Sequence, residues 1–253
     1  MGTALTAWPE NYGRIVLAEV GSTSDAAKRL AADHAAPFWV LAHRQTAPRG
    51  RRGRAWITPE GNLAATLVLH VNEPPAQVAL RSFVMSLALF RAFGKVTGQP
   101  GLFSLKWPND VLLNNGKVAG ILLESASLRQ QSTLLTIGVG VNLVAAPSSN
   151  DVETTAVRPV SLASETDVHC AAEDFLDSLA WHYAQLETQF QDHGFAPIRT
   201  GWLAHAARLG ETITARTGTE TTIGIFEDVD AQGHLVLRGP RGAAKIAAAD
   251  VFF

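Results

Sequence analysis

The chain has 253 residues, 47% of them hydrophobic and 17% charged, so it can bury a sizeable core and whole-chain disorder is excluded. Its 21 Lys and Arg against 23 Asp and Glu give a formal net charge of −2, which argues against a general nucleic-acid coat or a protein of membrane surfaces. One cysteine, Cys170, excludes an intrachain disulfide and a cysteine-cluster zinc site, and fits a reducing compartment.

The first ten residues have no basic start followed by an apolar stretch, so they do not read as a signal peptide. No uninterrupted apolar run approaches the ~20 residues of a membrane span. The expectation is a cytoplasmic protein with no membrane partner.

In chain order, 14–20 (RIVLAEV) reads as a short buried strand. Gly21-Ser22-Thr23-Ser24-Asp25 follows, then a helix over 26–36 that one of the three hydroxyl residues can cap. Residues 38–43 (FWVLAH) form a second strand, 44–56 a polar, aperiodic loop, and 63–71 (LAATLVLHV) a third strand. Pro74-Pro75 ends that strand, and Val78, Phe83, Leu87 and Phe90 give 77–96 a helical period. Strands are expected at 102–107, 111–113, 118–124 and 134–143, with Asn114-Asn115-Gly116-Lys117 as a hairpin turn. Residues 144–159 read as a turn-rich mobile loop, followed by helices over 171–190 and 196–207. From about 208 the pattern changes to short β runs broken by Gly and Asp, the spacing of a small barrel or meander. The fold class is therefore α+β: a mixed β-sheet flanked by helices over 1–207, and a small all-β unit over 208–253.

Four strings carry chemistry. Arg49-Gly50-Arg51-Arg52-Gly53-Arg54, closed by Trp56, sets four arginines and two glycines in six residues. Arginine forks match phosphate and carboxylate oxygens, glycine admits close approach, and Trp56 can cover an apolar ligand. A solvated basic loop or an RGG-like nucleic-acid segment has the same composition. Lys106-Trp107-Pro108-Asn109-Asp110 and Lys117-Val118-Ala119-Gly120 place lysines at strand ends beside turns, where a rigid sheet presents groups to a ligand; an ordinary surface hairpin also fits. Gly138-Val139-Gly140-Val141-Asn142 marks close approach to a strand, by a ligand or by packing. For Ser22–Ser24, capping is a sufficient explanation. The eight histidines show no metal spacing, and no nucleophile elbow supports Ser/His/Asp catalysis.

Taken together and in this order, these strings resemble the biotin protein ligase family, whose pattern is STN, GRGRRGRxW, KWPND, K(L/V)AGIL and GxGxN. The resemblance implies a class II synthetase-like catalytic domain over 1–207 and an SH3-like β-barrel over 208–253, the latter through Leu209-Gly210-Glu211 and Ala248-Ala249-Asp250-Val251. It also implies ATP-dependent activation of biotin as biotinyl-5′-AMP, then transfer to a lysine of the biotin carboxyl carrier protein of acetyl-CoA carboxylase or a related carboxylase. Carried over by position, Ser22, Thr23, Ser24, Gln45, Arg49, Gly50, Arg51, Lys106 and Gly120 contact biotin, with Lys106 and Arg51 catalytic. Arg51, Arg54, Trp56, Asn109, Lys117 and Asn142 face ATP, and Mg2+ is carried mainly by ATP, near Asp110. Ser24 stands where the pattern has Asn, and Pro48 where it has Gly. Only about twenty residues precede Ser22, so the enzyme is expected without a DNA-binding domain and without specific DNA as a partner. Two alternatives are weighed against this reading: lipoate or octanoate transfer, which the KWPND string disfavours, and an arginine-loop nucleic-acid module, which the acidic residues of the C-terminal segment disfavour. Monomer and homodimer remain equal.

Pro48 fixes φ near −65°, so the arginine loop should begin to move at Arg49 and not earlier. Pro48→Gly is expected to speed amide exchange across 47–51 and to weaken biotin binding by up to about 1 kcal/mol. Hydrogen exchange and a biotin titration on both proteins check this; identical values would make Pro48 neutral.

Overall fold

A computed structural model describes residues 7–54, 56–127, 132–148, 157–218 and 220–253. Part of the expected loop at 144–159, and Ala55 in the arginine-rich stretch, lie outside the described residues. Strand β1 (Gly13–Val20) leads to helix α1 (Thr23–Leu30), strand β2 (Phe38–Gln45), strand β3 (Leu63–Val71) and helices α2 (Pro75–Ala79) and α3 (Arg81–Thr97). Strands β4 (Phe103–Lys106), β5 (Asp110–Leu113), β6 (Gly116–Ser127) and β7 (Thr133–Val141) follow, then helices α4 (Leu162–Thr166), α5 (Ala172–His193) and α6 (Phe195–Leu203). The chain ends in β8 (Thr212–Arg216), β9 (Thr221–Val229), β10 (Leu235–Gly239), β11 (Gly242–Ile246) and β12 (Asp250–Phe252). Helix α1 starts earlier and stops sooner than the expected 26–36. The helix expected at 77–96 is two helices that meet at Leu80, while α4 and β12 match no sequence-based expectation.

Among the described residues, β1–β7 form one mixed seven-stranded sheet in the order β1-β2-β3-β7-β6-β5-β4. β1 and β2 run parallel, and every other neighbouring pair is antiparallel. The period-2 alternation of strands sorts side chains between two faces. Trp39 and Leu41 of β2, Leu63, Ala65 and Leu67 of β3, and Ile137 and Val139 of β7 join the main core with α3, α5 and α6. Phe38, Val40 and Val68 turn to the other face and pack with Ala26 and Ala27 of α1. That second face also receives Thr66, Gly138 and Gly140, and it carries the site. The segment Pro75–Thr97 is long and apolar enough to cross a membrane by composition, yet 72% of its most apolar window is buried inside this fold.

The expected C-terminal barrel is not formed. The second sheet is open, in the order β11-β10-β9-β8-β12, and its edge strands β11 and β12 do not pair with each other. Its apolar face is covered by the helices of the larger unit, so it has no need to close on itself. Phe226 packs against Trp202 of α6 with ring centroids 6.5 Å apart, and Ile213, Leu235, Leu237 and Val251 belong to the same core as α3. Gly233, at φ +80°, lies where a Cβ would come within 2.9 Å of Leu80 and Phe83. The glycine lets the β9–β10 turn seat directly on α3.

On the opposite side of α3, Arg81 is 1% exposed and donates to Glu187 at 2.8 and 3.0 Å and to Glu73 at 2.8 Å. The Tyr183 hydroxyl donates to Glu187 at 2.9 Å. These bonds fasten α3 to α5. Removing the cation strands a buried carboxylate, so Arg81→Met is expected to destabilise the fold by about 3–5 kcal/mol in urea unfolding. A cost below about 1 kcal/mol would show that Glu187 finds other compensation.

Candidate functional site

On the α1 face of the large sheet lies a cavity of about 400 Å³, within the range of small-molecule sites. Every residue assigned above to biotin or ATP lines it: the three hydroxyl residues at 22–24, Gln45, the arginine-loop residues Arg49, Gly50, Arg51 and Arg54, Trp56, Lys106, Asn109, Lys117, Gly120 and Asn142. Asp110 lines it too. They come from six separate stretches. β2, β6 and β7 are held in one sheet by strand pairing, and the loops at their ends converge.

The glycines of β6 and β7 make the floor. A Cβ on Gly140 would collide with the Trp56 indole, so no larger residue fits beneath that ring. Gly120 lies under the same ring, and the Lys117 ammonium sits 5.3 Å from the ring centroid. The alternating glycines thus receive a side chain of the chain itself, and Trp56 in turn forms a wall of the cavity.

One end of the cavity is uncharged and polar. Ser22, Thr23 and Ser24 are buried, at 4%, 4% and 5% exposure. The start of α1 at Ser22 has no side-chain cap, contrary to the capping expectation. The Thr23 and Ser24 hydroxyls are used elsewhere. Thr23 donates its backbone N–H and its hydroxyl to Gln45 Oε1, at 2.8 and 3.1 Å. Thr66 donates to Thr23 Oγ1 at 2.9 Å, and Ser24 Oγ lies 3.5 Å from Thr66 Oγ1.

The other end is cationic. Asp110 is buried and pairs with Lys117 at 2.7 Å and with Lys106 at 3.7 Å. Burial by itself would raise the Asp110 carboxyl; the Lys117, Lys106 and Arg51 cations outweigh it and hold the group below the ordinary carboxylate range. Burial pushes the Lys106 ammonium down from the usual lysine value, while Asp110 opposes the loss of its proton. Arg51 donates to Asn109 Oδ1 at 3.2 Å, and Asn109 donates to the Ile121 carbonyl at 2.6 Å. Among the described residues no three His, Cys, Asp or Glu side chains gather as a metal site. With two lysines on its carboxylate, Asp110 does not fit the role of a metal ligand.

The arginine loop divides its charges. Arg49 makes a two-bond pair with Asp25 of α1, at 2.5 and 2.6 Å, and reaches Glu124 at 3.4 Å. Arg52 and Arg54 both donate to Asp250 Oδ2 of β12, at 2.7 and 2.9 Å. Arg51 faces the lysine cluster. Asn142 is buried and donates to the Val160 carbonyl, so its side chain anchors the 157–160 segment, from which Val157 and Pro159 line the cavity.

Three contributors escaped the sequence reading. Asp25 and Asp250 lie 24 and 196–198 residues from the arginines they bind, and no motif links them. Thr66 had a faint signal, a hydroxyl in the middle of the apolar run 63–69.

Residues 17–142 match the biotin/lipoate A/B protein ligase family, and residues 209–253 match the biotin protein ligase C-terminal domain. The chain is 50% identical over 238 residues to the biotin–[acetyl-CoA-carboxylase] ligase of Paracoccus denitrificans, a match covering 94% of this chain and 99% of that one. It is similar in structure to the biotin protein ligase of Aquifex aeolicus in complex with biotin and ATP, with a TM-score of 0.76, 26% identity, and coverage of 94% of this chain and 97% of that one. A variant of the Aquifex aeolicus protein in complex with biotin aligns with a TM-score of 0.78, also at 26% identity, over the same shares of the two chains.

Among the described residues Asp250 is the carboxylate shared by two arginines of the loop, and these pairs are partly exposed to solvent. Asp250→Asn is therefore expected to leave global stability within about 1 kcal/mol of the parent. Amide exchange over 50–54 should rise several-fold, read by hydrogen-exchange mass spectrometry. Unchanged exchange there would mean that the loop is held without Asp250.

Proposed function

The chain belongs to the biotin/lipoate A/B protein ligase family, and from that membership we propose how its cavity is used. The protein is an ATP-dependent biotin ligase whose partner is a biotin carboxyl carrier protein. The reading rests on one observation above all: a single cavity with an uncharged hydroxyl and amide end and a cationic end. Biotin has the matching polarity, with a neutral ureido ring at one end and a carboxylate at the other.

The ring lies against Thr23, Ser24 and Gln45, and the carboxylate points toward Lys106 and Arg51. ATP occupies the cationic end beneath Trp56, beside Asn109 and Lys117, and brings its Mg2+ as part of the substrate. In the first step a biotin carboxylate oxygen attacks the α-phosphorus. The bond from that phosphorus to the bridging oxygen breaks, and pyrophosphate leaves. Negative charge shifts onto phosphate oxygens during this step, and fixed cations in a dry site stabilise it without having to reorganise. Lys106 is more deeply buried than Lys117. In the second step the carrier's lysine amine attacks the acyl carbon, AMP departs with the bonding electrons, and the nitrogen loses a proton to form the amide. The KWPND string and the C-terminal domain match both favour biotin over lipoate as the acyl group.

Lys106→Ala is expected to slow pyrophosphate release at saturating substrates by about 10²–10³-fold, the size of one lost electrostatic contact to a developing oxyanion. The biotin dissociation constant should move only a few-fold, because the ring end is untouched. Lys117 remains to pair with Asp110, so the fold should survive. Turnover within a few-fold of the parent would remove Lys106 from the reacting centre.

A further inference from the structure

The uncharged end of the cavity has a direction, and its source is a residue that does not line the cavity. Thr66 lies in the middle of β3 with 0% exposure, behind Thr23 and Ser24. It is paired in register with Gly138 of β7, and a Cβ at Gly138 would come within 3.0 Å of Ser24 Oγ. The three hydroxyls are thus pressed together between α1 and the sheet.

Their hydrogens can be assigned from one fixed point. A backbone N–H only donates, so the Thr23 N–H identifies the Gln45 atom 2.8 Å away as the carbonyl oxygen. That oxygen also accepts the Thr23 hydroxyl hydrogen at 3.1 Å. Thr23 Oγ1 then accepts from Thr66 at 2.9 Å. Thr66 has given away its only hydrogen, so in the 3.5 Å contact Ser24 is the donor. The chain runs Ser24 to Thr66 to Thr23 to Gln45, its first link the long one at 3.5 Å, and the three hydroxyl hydrogens point along it. Toward the cavity, Thr23 and Ser24 offer lone pairs. Gln45 Nε2, with Thr58 Oγ1 as a distant acceptor at 3.5 Å, keeps a hydrogen to donate.

We propose that Thr66 is a positioning residue for the ring end of the substrate: by accepting from Ser24 and donating to Thr23 it turns both hydroxyls into acceptors for the two N–H groups of a ureido ring. The inference rests on the biotin reading above. Without the Thr66 hydroxyl, Ser24 loses the acceptor behind it and turns its hydrogen to the cavity, where it meets a ligand N–H donor to donor. A substrate lacking paired N–H groups gains nothing from the arrangement.

The test compares the parent with Thr66→Val, which keeps the shape and loses the hydroxyl, and Thr66→Ser, which keeps the hydroxyl. Biotin affinity is measured by titration calorimetry, kcat and both KM values by pyrophosphate release, and stability by thermal unfolding. For Thr66→Val the biotin dissociation constant should rise about tenfold, the size of one mis-set hydrogen bond. Its kcat at saturating biotin and its KM for ATP should stay within about twofold of the parent, and Thr66→Ser should recover biotin affinity to within about threefold. If Thr66→Val does not fold, Thr66→Ala takes its place in the same comparison with Thr66→Ser. Unchanged biotin affinity without the hydroxyl would overturn the proposal. So would a parallel fall of kcat and ATP affinity, or a Ser variant no better than Val, since either marks a packing role. If the parent itself bound no biotin, the biotin reading would fall first and this proposal with it.

Discussion

Two lysines and an arginine converge on one corner of the cavity, where the buried carboxylate of Asp110 lies among them. Moving a cation out of water is costly, and three together would repel one another and favour loss of a proton. Asp110 meets Lys117 at 2.7 Å and Lys106 at 3.7 Å, and its charge opposes the loss of the Lys106 proton that burial favours. The geometry is set by the backbone: Lys106 and Asp110 are register partners of the β4–β5 hairpin, and Asp110 is also opposite Gly120 of β6. The pairing of β4, β5 and β6 therefore fixes the carboxylate and its two lysines. On the proposed mechanism, phosphate chemistry in the cavity draws on that arrangement, since only a charged group stabilises developing negative charge.

The C-terminal sheet holds the same corner from outside. Its β9–β10 turn accepts the Trp107 indole N–H through the Gly233 carbonyl at 3.1 Å, securing the residue next to Lys106. At its β12 edge Asp250 gathers Arg52 and Arg54. Arg199 of α6 bonds to Asp228 and the Val229 carbonyl, closing the seam between the two units. A closed barrel would have turned its apolar face inward. As an open sheet it contributes that face to the common core, and Ala249 through Phe252 line the cavity. The second unit is thus a wall of the site as well as a neighbour of it.

Much of the site was legible in the sequence because its residue types are expensive to place together for any other purpose. Four arginines with two glycines, two lysines at strand ends and alternating glycines each had an ordinary explanation alone. Their joint occurrence did not, and the residues assigned from them to a ligand all line one cavity. The duties within it were less legible. Arg49 reads as a ligand-binding cation, and its pairing with Asp25 is invisible in the string; Asn142 reads as a nucleotide contact, and its bond to the Val160 carbonyl is equally so. A side chain's partner depends on what the fold brings within about 3 Å, and local spacing says little about residues far away in the chain.

The sequence by itself determined the α+β class, the strand and helix periods, the charged strings and the family they resemble, because these are properties of neighbouring residues. Tertiary structure alone decided that the C-terminal sheet stays open, since that depends on the helices available to cover its apolar face. It also decided that Trp56 fills the space above Gly140, that Asp250 joins the arginine loop, and that Thr66 stands behind Thr23 and Ser24. Each of these is a contact between segments far apart in the chain, set by sheet register and helix packing, and short-range sequence pattern carries no record of it.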